Sequence, residues 1–392
     1  MTHQDNNQQQ SGYSTTALVD QYLNKAIEMG ASDIHIEPES DSVRIRLRID
    51  GILREVERLP TNILDNLVSR IKVLANLNIS ETRKPQDGRF DIKKQQPIDL
   101  RVSIMPTSFG EAVVIRLLDQ SNLILTFNEL GLDEEQKEIF YKMIKKPYGL
   151  ILVTGPTGSG KTTTLFSVLN NINSIEKCIV TLEDPVEYHL PLLRQTQIDE
   201  RGGFGFARGL RSLFRQNPDV IMVGEIRDRE TADIVIQAAM TGHLVLSTLH
   251  TNDSVGALIR LKEMGLEKFL ITSATSGIIA QRLVRKICPD CKVPYDPPSE
   301  ILESLGLADD TSTYYKGSGC TFCHASGFRG RTGIYEILQL SQDINKLVYQ
   351  DVSWRQLYDA AIKQGMQTLR QSGLKKVKAG ITTLEEIIRV TQ

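Results

Sequence analysis

The sequence predicts an α/β protein whose parallel sheet, covered by helices on both faces, carries a nucleotide site. Three observations predict this class. An apolar, β-branched run over Leu150–Thr154 leads into a glycine-rich turn and then into a helical pattern. Further apolar runs alternate with helical stretches, which favours a parallel sheet between two helical layers. Acidic and polar residues follow several of these runs, at the strand ends where such sheets bind ligands.

The composition is typical of a globular protein with two or three domains. The chain has 392 residues, of which 40% are hydrophobic and 24% charged, and its formal net charge is −2. No apolar run approaches the roughly 18 residues of a membrane-spanning helix, and the N-terminus lacks the apolar segment of a signal peptide. We therefore expect a cytoplasmic protein. The absence of a basic excess argues against nucleic acid as its main partner.

The first part of the chain predicts a tail followed by a small α/β domain. Residues 1–14 are rich in Gln and Asn and are expected to be disordered. A domain is expected over 15–118, with a polar linker over 119–128. Its predicted elements follow the apolar periodicity of the sequence. They are helices over about 15–30 and Leu64–Leu77, and strands over Val43–Ile49, Asp99–Met105 and Ala112–Leu118.

A second domain is expected over 129–392, and it contains the predicted parallel sheet. It includes a cysteine-bearing module over about 286–335 and a C-terminal helical region over 336–392. The sheet strands are predicted from short apolar runs separated by helical stretches. These runs are Leu150–Thr154, Cys178–Leu182, Val220–Val223 and Leu244–Leu249.

The turn after the first of these strands has the P-loop pattern G-x-x-x-x-G-K-[ST]. Its backbone N–H groups can surround a triphosphate, and the following helix N-terminus favours negative charge. Lys161 can reach the β- and γ-phosphates, and the Thr162 hydroxyl can hold Mg²⁺. We therefore expect ATP and Mg²⁺ as ligands. The nucleotide-binding residues are predicted to be Gly155, Pro156, Thr157, Gly158, Ser159, Gly160, Lys161, Thr162 and Thr163.

Acidic residues follow two of the other predicted strands. Glu225 comes after Val220–Val223 and suits the Walker B position, although Asp is commoner there. Glu183, Asp184 and Glu187 follow the strand that ends at Leu182. Two sets of acids beside one phosphate can divide into a metal-binding role and a water-activating role. The alternative is that each set simply forms a polar turn at the end of a buried strand.

Polar groups also end the strand Leu244–Leu249. Ser247 or Thr248 could sense the γ-phosphate, and His250 could transmit that state to the following loop. An ordinary surface or capping histidine is the alternative for His250, because a single histidine at a strand end is common without any function.

Four of the five cysteines form two C-x-x-C pairs, Cys288/Cys291 and Cys320/Cys323. Four thiolates with this spacing can enclose a tetrahedral Zn²⁺, and a complete four-sulfur shell indicates a structural role. Redox use of either pair is the alternative. Cys178 lies in a predicted strand and is interpreted as a small core residue.

Taken together, these patterns resemble the ATPases of type II secretion and type IV pilus assembly, over nearly the whole chain from about residue 17. No single motif carries the resemblance. The matching segments are the P-loop, the Asp box Thr181–Tyr188, the Walker B block Asn217–Asp228, the His box Thr241–Asn252 and, in the small domain, Ala31–Pro38 and Pro85–Arg89.

This resemblance implies a RecA-like motor domain that forms a ring, as a hexamer, and a smaller N-terminal α/β domain of PAS-like fold. It assigns the catalytic acid to Glu187, with Glu183 as the second choice, and the acid acting on Mg²⁺ to Glu225. It also favours a functional His250. It further implies that the small domain brings arginines to the phosphates, with Arg89, Arg101 and Arg116 as the candidates. Arg211 and Arg215, before the Walker B strand, are candidates for contact with nucleotide or with a neighbouring subunit. The alternative for Arg89, Arg101 and Arg116 is that they only keep one face of the sheet in contact with solvent.

The cysteine module, with Gly327–Glu336 after it, resembles the zinc module of the secretion and pilus-extension ATPases, which retraction ATPases typically lack. The resemblance therefore implies assembly rather than retraction. It also implies an inner-membrane platform protein and the cytoplasmic domain of a membrane recruitment protein as partners, at the cytoplasmic face of the inner membrane. Relatives usually carry a further N-terminal recruitment domain, so either this sequence is truncated or it represents a short form.

Two segments, Leu193–Gln197 and Gly205–Arg211, are closer to the type II branch than to the pilus branch. We therefore expect a type II secretion ATPase, with a type IV pilus extension ATPase as the alternative. Two other classes of function stay open from the sequence. One is a nucleotide-gated scaffold with little turnover, and the other is a DNA-translocating motor, which the lack of a basic excess disfavours.

Overall fold

Two units divide the chain, Met1–Leu123 and Ile124–Gln392. The structure, a computed structural model, describes residues 15–92, 98–119 and 125–392. The predicted tail over 1–14 therefore lies outside the described residues, as does the part of the predicted linker over 120–124.

The first unit is an antiparallel six-stranded sheet in the order β3-β2-β1-β6-β5-β4, with two helices against one face. Alternation along the strands places apolar side chains toward the helices and charged ones on the other face, as Val43–Ile49 illustrates. Its elements are α1 (Thr15–Glu28), β1 (Ala31–Pro38), β2 (Val43–Ile49), β3 (Ile52–Leu59), α2 (Leu64–Leu74), β4 (Gln86–Ile92), β5 (Ile98–Thr107) and β6 (Gly110–Asp119).

The second unit is built on a seven-stranded sheet in the order β15-β12-β7-β11-β10-β8-β9. All neighbouring pairs are parallel except β12 and β15, which pair antiparallel at one edge. This sheet confirms the predicted α/β class. Its strands are β7 (Gly149–Thr154), β8 (Ile179–Glu183), β9 (Arg194–Gln197), β10 (Val220–Val223), β11 (Leu244–Leu249), β12 (Thr275–Ile287) and β15 (Phe328–Gln339).

Helices cover this sheet, so every residue of β7 and β11 is buried. Several helices begin at the side-chain caps that their sequences predict; Asp228 and Asp253, for example, accept hydrogen bonds from backbone N–H groups of the first turn. The helices are α3 (Glu134–Ile144), α4 (Lys161–Ile172), α5 (Phe206–Leu213), α6 (Arg229–Met240), α7 (Ser254–Glu263), α8 (Lys268–Ala274), α9 (Ser299–Ser304), α10 (Gln342–Tyr349), α11 (Trp354–Lys363), α12 (Leu369–Lys378) and α13 (Leu384–Thr391).

The cysteine module is inserted between β12 and β15. It contains a two-stranded antiparallel ribbon of β13 (Lys292–Tyr295) and β14 (Tyr314–Gly317). Since β12 and β15 pair from Gly277↔Gln339 to Ile287↔Phe328, the module projects from a continuous hairpin of the main sheet.

Two boundaries differ from the sequence prediction. The region over 336–392 is helical only from Gln342, because Glu336 to Gln339 complete β15 and pair with β12. The apolar side chains of Ile337 and Leu338 are buried in this extension of the strand, and Ser341 then caps α10. The strand predicted over Cys178–Leu182 is shifted by one residue, so Glu183 is its last buried residue.

Candidate nucleotide site and cysteine cluster

The P-loop connects β7 to α4 and bends around the ammonium group of Lys161. Lys161 Nζ donates to the carbonyl oxygens of Gly155 at 2.8 Å and Pro156 at 3.1 Å. Gly160 caps α4 in the left-handed region at φ 87°. A Cβ at Gly160 would also lie 2.8 Å from Gln281 Nε2, so both the backbone angle and the packing require glycine.

Lys161 is buried, so its ammonium group loses hydration by water when it is charged. Burial lowers its pKa and the positive charge of Arg282 lowers it further, whereas the charge of Glu225 raises it. The pKa of Arg282 is also lowered by burial. An anion between these two cations would offset their desolvation, so the loop is suited to a phosphate group.

Glu225 lies just beyond β10, where residues that follow β8, β10 and β11 are in contact. Its carboxylate accepts a 2.5 Å hydrogen bond from Arg227 Nη2 and lies 3.4 Å from His250 Nε2. Arg227 also contacts Asp184 Oδ2 at 3.4 Å. The Walker B acid, the Asp box and the His box therefore meet, as expected from strands whose carboxyl ends share one edge.

The two candidate acids of the Asp box differ in their surroundings. Glu183 is 3% exposed, and it accepts hydrogen bonds from Thr181 Oγ1 at 2.6 Å and Gln195 Nε2 at 3.0 Å. Burial raises its pKa, these bonds oppose that rise, and the charge of Glu187 adds to it. Glu187 lies half-buried in the irregular segment after the strand. Glu183 therefore has a structural role at the end of β8, whereas Glu187 lies in the segment that follows the strand and is less buried.

The hydroxyls of the His box bind carbonyl groups of the neighbouring strand and the residue after it. Ser247 Oγ donates to Val223 O at 2.8 Å, and Thr248 Oγ1 donates to Gly224 O at 2.7 Å. Both residues are buried, so these bonds help to join β11 to β10, and γ-phosphate sensing by either hydroxyl stays a prediction. His250 is about half exposed and faces Glu225, which keeps the histidine in the site.

The three arginines of the small unit lie in one row on the charged face of its sheet. Strand pairing places Arg89 beside Arg101, Arg101 beside Arg116, and Arg116 beside Asp33. Asp33 next pairs with Arg48. We call these five residues the arginine row. Arg116 Nε donates to Asp33 Oδ1 at 3.0 Å, so a single carboxylate stands among four guanidinium groups.

Arg211 and Arg215 lie on the exposed side of α5 and the turn after it. Arg211 Nη2 donates to Glu230 Oε1 at 2.6 Å, and Arg215 Nη1 donates to Arg211 O at 3.0 Å. Both contacts are local to α5, the turn and α6, so nothing in them assigns either arginine to nucleotide.

The structure brings Cys288, Cys291, Cys320 and Cys323 into one cluster, with all four sulfurs within 4.8 Å of one another. Three of the sulfur pairs are 3.6–3.8 Å apart. A tetrahedral shell with Zn–S bonds of about 2.3 Å requires sulfurs about 3.8 Å apart, so these three pairs have the spacing of a zinc site and the cluster as a whole is compatible with zinc. Backbone N–H groups of Cys320 and Gly327 donate to Cys323 Sγ, as expected around a thiolate. Cys178 is separate and half-buried at the start of β8.

Two site residues were missed by the sequence analysis. Arg227 bridges Glu225 and Asp184, and it lies inside the Walker B block, which could have revealed it. Arg282 on β12 is charge-coupled to Lys161 and donates to Asn252 O at 3.0 Å. No motif pointed to Arg282, because only the pairing of β12 with β7 brings it beside the P-loop.

Comparison with known proteins gives the family. The family model described as "Type II/IV secretion system protein" matches residues 8–389. The chain belongs to this family. It is 48% identical over 377 residues to the type II secretion system ATPase E of Vibrio cholerae, covering 96% of this chain and 75% of that protein. It is 49% identical over 377 residues to the type IV pilus assembly ATPase PilB of Myxococcus xanthus, covering 95% and 67%.

Solved structures agree with this membership. The pilus retraction motor PilT with bound ADP aligns over 94% of this chain and 96% of its own, with a TM-score of 0.61 and 27% identity. The Legionella pneumophila ATPase DotB aligns over 95% of both chains with a TM-score of 0.70, and at 21% identity it supports the fold alone. In sequence and fold this chain is a secretion-family ATPase.

Within residues 15–92, 98–119 and 125–392, no helix is both long enough and apolar enough to cross a membrane.

Proposed function

We propose that this protein hydrolyses ATP to drive pseudopilus assembly and protein export in type II secretion. The observation that carries the proposal is the meeting of Glu225, His250, Arg227 and Asp184 at the strand ends, beside a P-loop lysine whose charge interacts with Glu225. Several relatives at 46–49% identity bear type II secretion names, which supports the branch.

Type IV pilus assembly is the second candidate. It is favoured by the 49% identity to the Myxococcus xanthus pilus assembly ATPase, which equals the highest identity among the type II relatives compared. The genes beside the coding sequence separate the two. A secretin, a platform protein and pseudopilins would support type II secretion, and major pilin genes would reverse the assignment.

In this proposal the P-loop holds the triphosphate, and Lys161 balances charge on the β- and γ-phosphates. Mg²⁺ fits the exposed hydroxyl of Thr162 and the carboxylate of Glu225, since hard oxygen donors suit it. The metal would neutralise charge on the transferred phosphate. Glu187 orients the attacking water and accepts its proton. Glu183 is the less suitable base, because its side chain is buried and already accepts a hydrogen bond from Thr181.

His250 and Arg227 would hold Glu225 in position from opposite sides. The arginine row supplies positive charge from the small unit, through Arg89, Arg101 and Arg116, as the phosphates react. Like charges on neighbouring strands destabilise a sheet, and an anionic ligand would relieve that repulsion.

We further propose a hexameric ring at the cytoplasmic face of the inner membrane. Its partners are an inner-membrane platform protein and the cytoplasmic domain of a membrane recruitment protein, with no nucleic acid. The four cysteines hold a structural Zn²⁺, because their sulfurs lie within 4.8 Å of one another and a shell of four thiolates leaves no open position. The support for these statements is the family membership and the cysteine geometry.

The decisive experiment compares ATP turnover of the wild-type oligomer with that of Glu187→Gln. We expect turnover to fall at least about a hundredfold while nucleotide affinity is retained, because only the water-activating step is lost. Glu176→Gln, an exposed site on the loop after α4, is the matched control and should behave as wild type. A wild type no faster than Glu187→Gln would favour a scaffold subunit.

The same assay distinguishes a DNA-translocating motor. Such a motor would show turnover that DNA stimulates and that raised salt suppresses. We expect no stimulation by DNA at any salt concentration.

A further inference from the structure

The edge strand β9 presents two glutamines to the segment that carries Glu187. Gln195 accepts a hydrogen bond from Leu190 N at 2.7 Å and donates to Tyr188 O at 3.0 Å. It also donates to Glu183 Oε1 at 3.0 Å. Gln197 accepts a hydrogen bond from Val186 N at 3.3 Å. In the sequence, this strand lies within Leu193–Gln197, one of the two segments that favour the type II branch.

These bonds hold the backbone on both sides of Glu187. The residue before it, Val186, is held by Gln197, and the residue after it, Tyr188, is held by Gln195. The segment from 184 to 190 belongs to no helix or strand, so these side-chain bonds replace those of a ladder. The Tyr188 ring also packs on Phe166 of α4 at a centroid distance of 4.1 Å, which joins the segment to the P-loop helix.

We propose that Gln195 and Gln197 are positioning residues that set the place of Glu187 relative to the nucleotide. The proposal rests on the proposed function, in which Glu187 activates water. Gln195 is half-buried and uses both the oxygen and the nitrogen of its amide, so its geometry is determined at both ends. A displacement of about 1 Å at a reacting group can reduce a rate on the order of a hundredfold, so this support matters for rate more than for binding.

The test is a double-mutant cycle between Gln195→Met and Glu187→Gln. Methionine keeps the length of the side chain and removes the donor and the acceptor. We expect Gln195→Met to lower kcat about tenfold to a hundredfold with the Kd of a fluorescent ATP analogue changed less than about twofold. In the Glu187→Gln background the same substitution should cause no further loss in single-turnover assays, because it acts through Glu187.

The control is Arg194→Met, at an exposed position of the same strand, with kcat expected to be unchanged. An equal loss from Gln195→Met in both backgrounds would overturn the proposal, because a merely structural glutamine would act independently of Glu187. Unchanged kcat in Gln195→Met, with Glu187→Gln impaired, would overturn this proposal alone. Full turnover in Glu187→Gln would overturn the catalytic assignment as well.

A second variant keeps the test valid if Gln195→Met lowers the melting temperature strongly. Gln197→Met removes a single longer bond from an exposed position, so the fold should tolerate it. We expect kcat to fall about twofold to fivefold, again only when Glu187 is present. A loss of the same size in the Glu187→Gln background would contradict the positioning role.

Discussion

The two large sheets of this protein place their charged residues differently. In the mainly parallel sheet of the second unit, all residues of β7 and β11 are buried, and the candidate acids Glu225 and Glu187 follow the ends of their strands. In the antiparallel sheet of the first unit, β2 alternates buried apolar residues with Arg44, Arg46 and Arg48. When helices cover both faces of a sheet, a ligand can bind only at the ends of its strands. When one face is left uncovered, the side chains of that whole face are available for binding.

This difference separates the roles that substitutions should reveal. At the strand ends of the second unit, acids and cations contact each other: Glu225 contacts Arg227 and His250, and Arg227 contacts Asp184. On the open face of the first unit, the arginine row places arginines next to each other on neighbouring strands. Residues in both places should affect turnover without a large loss of stability in their own unit.

Lys161→Ala is expected to have the largest effect. Turnover should fall by more than about a hundredfold, because the phosphates lose the charge that balances them. The melting temperature should stay the same or rise, since the buried ammonium group is desolvated. Lys146→Ala, at an exposed site, is the control. Full activity of Lys161→Ala would refute the strand-end site, and an unchanged zinc content would show that the cysteine module stays folded.

Removal of zinc should have the next largest effect, and only on the second unit. One zinc per chain is expected by metal analysis, and Cys320→Ser should lose it. Because metal binding contributes directly to folding, the melting temperature of the second unit should fall by on the order of 10 °C. In calorimetry that resolves the two units, the unfolding transition of the first unit should be the same with and without zinc. An unaltered second transition in a metal-free protein would contradict a structural zinc site.

Arg101→Ala tests the open face of the first unit. Turnover should fall at least about tenfold, since the arginine row then brings less charge to the phosphates. The melting temperature of the first unit should change little, because the contacts of a partly exposed arginine on an open sheet face contribute at most about 1 kcal/mol. Arg44→Ala on the same face is the control: it loses contacts to Glu37 and Glu39 and should slightly lower stability without changing turnover. The reverse pattern would contradict the proposed role of the row.

The smallest expected effect is a pH dependence of stability in the second unit. Burial raises the pKa of Glu386, but hydrogen bonds from Arg389 and Arg285 outweigh it and lower this pKa to about 2. Because the pKa of Glu386 is lower in the folded state, the stabilisation from its bonds with the two arginines is present above pH 4.5. It is lost as the pH falls toward 2. Glu386→Gln should flatten this part of a pH–melting curve. An equally steep curve in the variant would assign the effect to other carboxylates.

Much of the site could be predicted from the sequence because its chemistry is encoded in contiguous segments. The P-loop, the acids after β8 and β10, and the paired cysteines each follow a local pattern whose spacing carries the meaning. The alternation of β2 likewise predicts a half-covered sheet, and the apolar runs of β7, β10 and β11 predict buried parallel strands. Local periodicity and motif spacing were sufficient for these features.

Contacts between distant segments were decided only by the tertiary structure. Ser247 and Thr248 are polar residues at a strand end in the sequence, and only the pairing of β11 with β10 brings their hydroxyls to the carbonyl groups of Val223 and Gly224. Arg282 reaches the P-loop, and Gln195 reaches the Asp box, only because β12 and β9 pair beside β7 and β8. The arginine row also depends on register, since a shift of one residue would turn Arg101 into the core. Pairing and register follow from the packing of the whole sheet, which no single segment encodes.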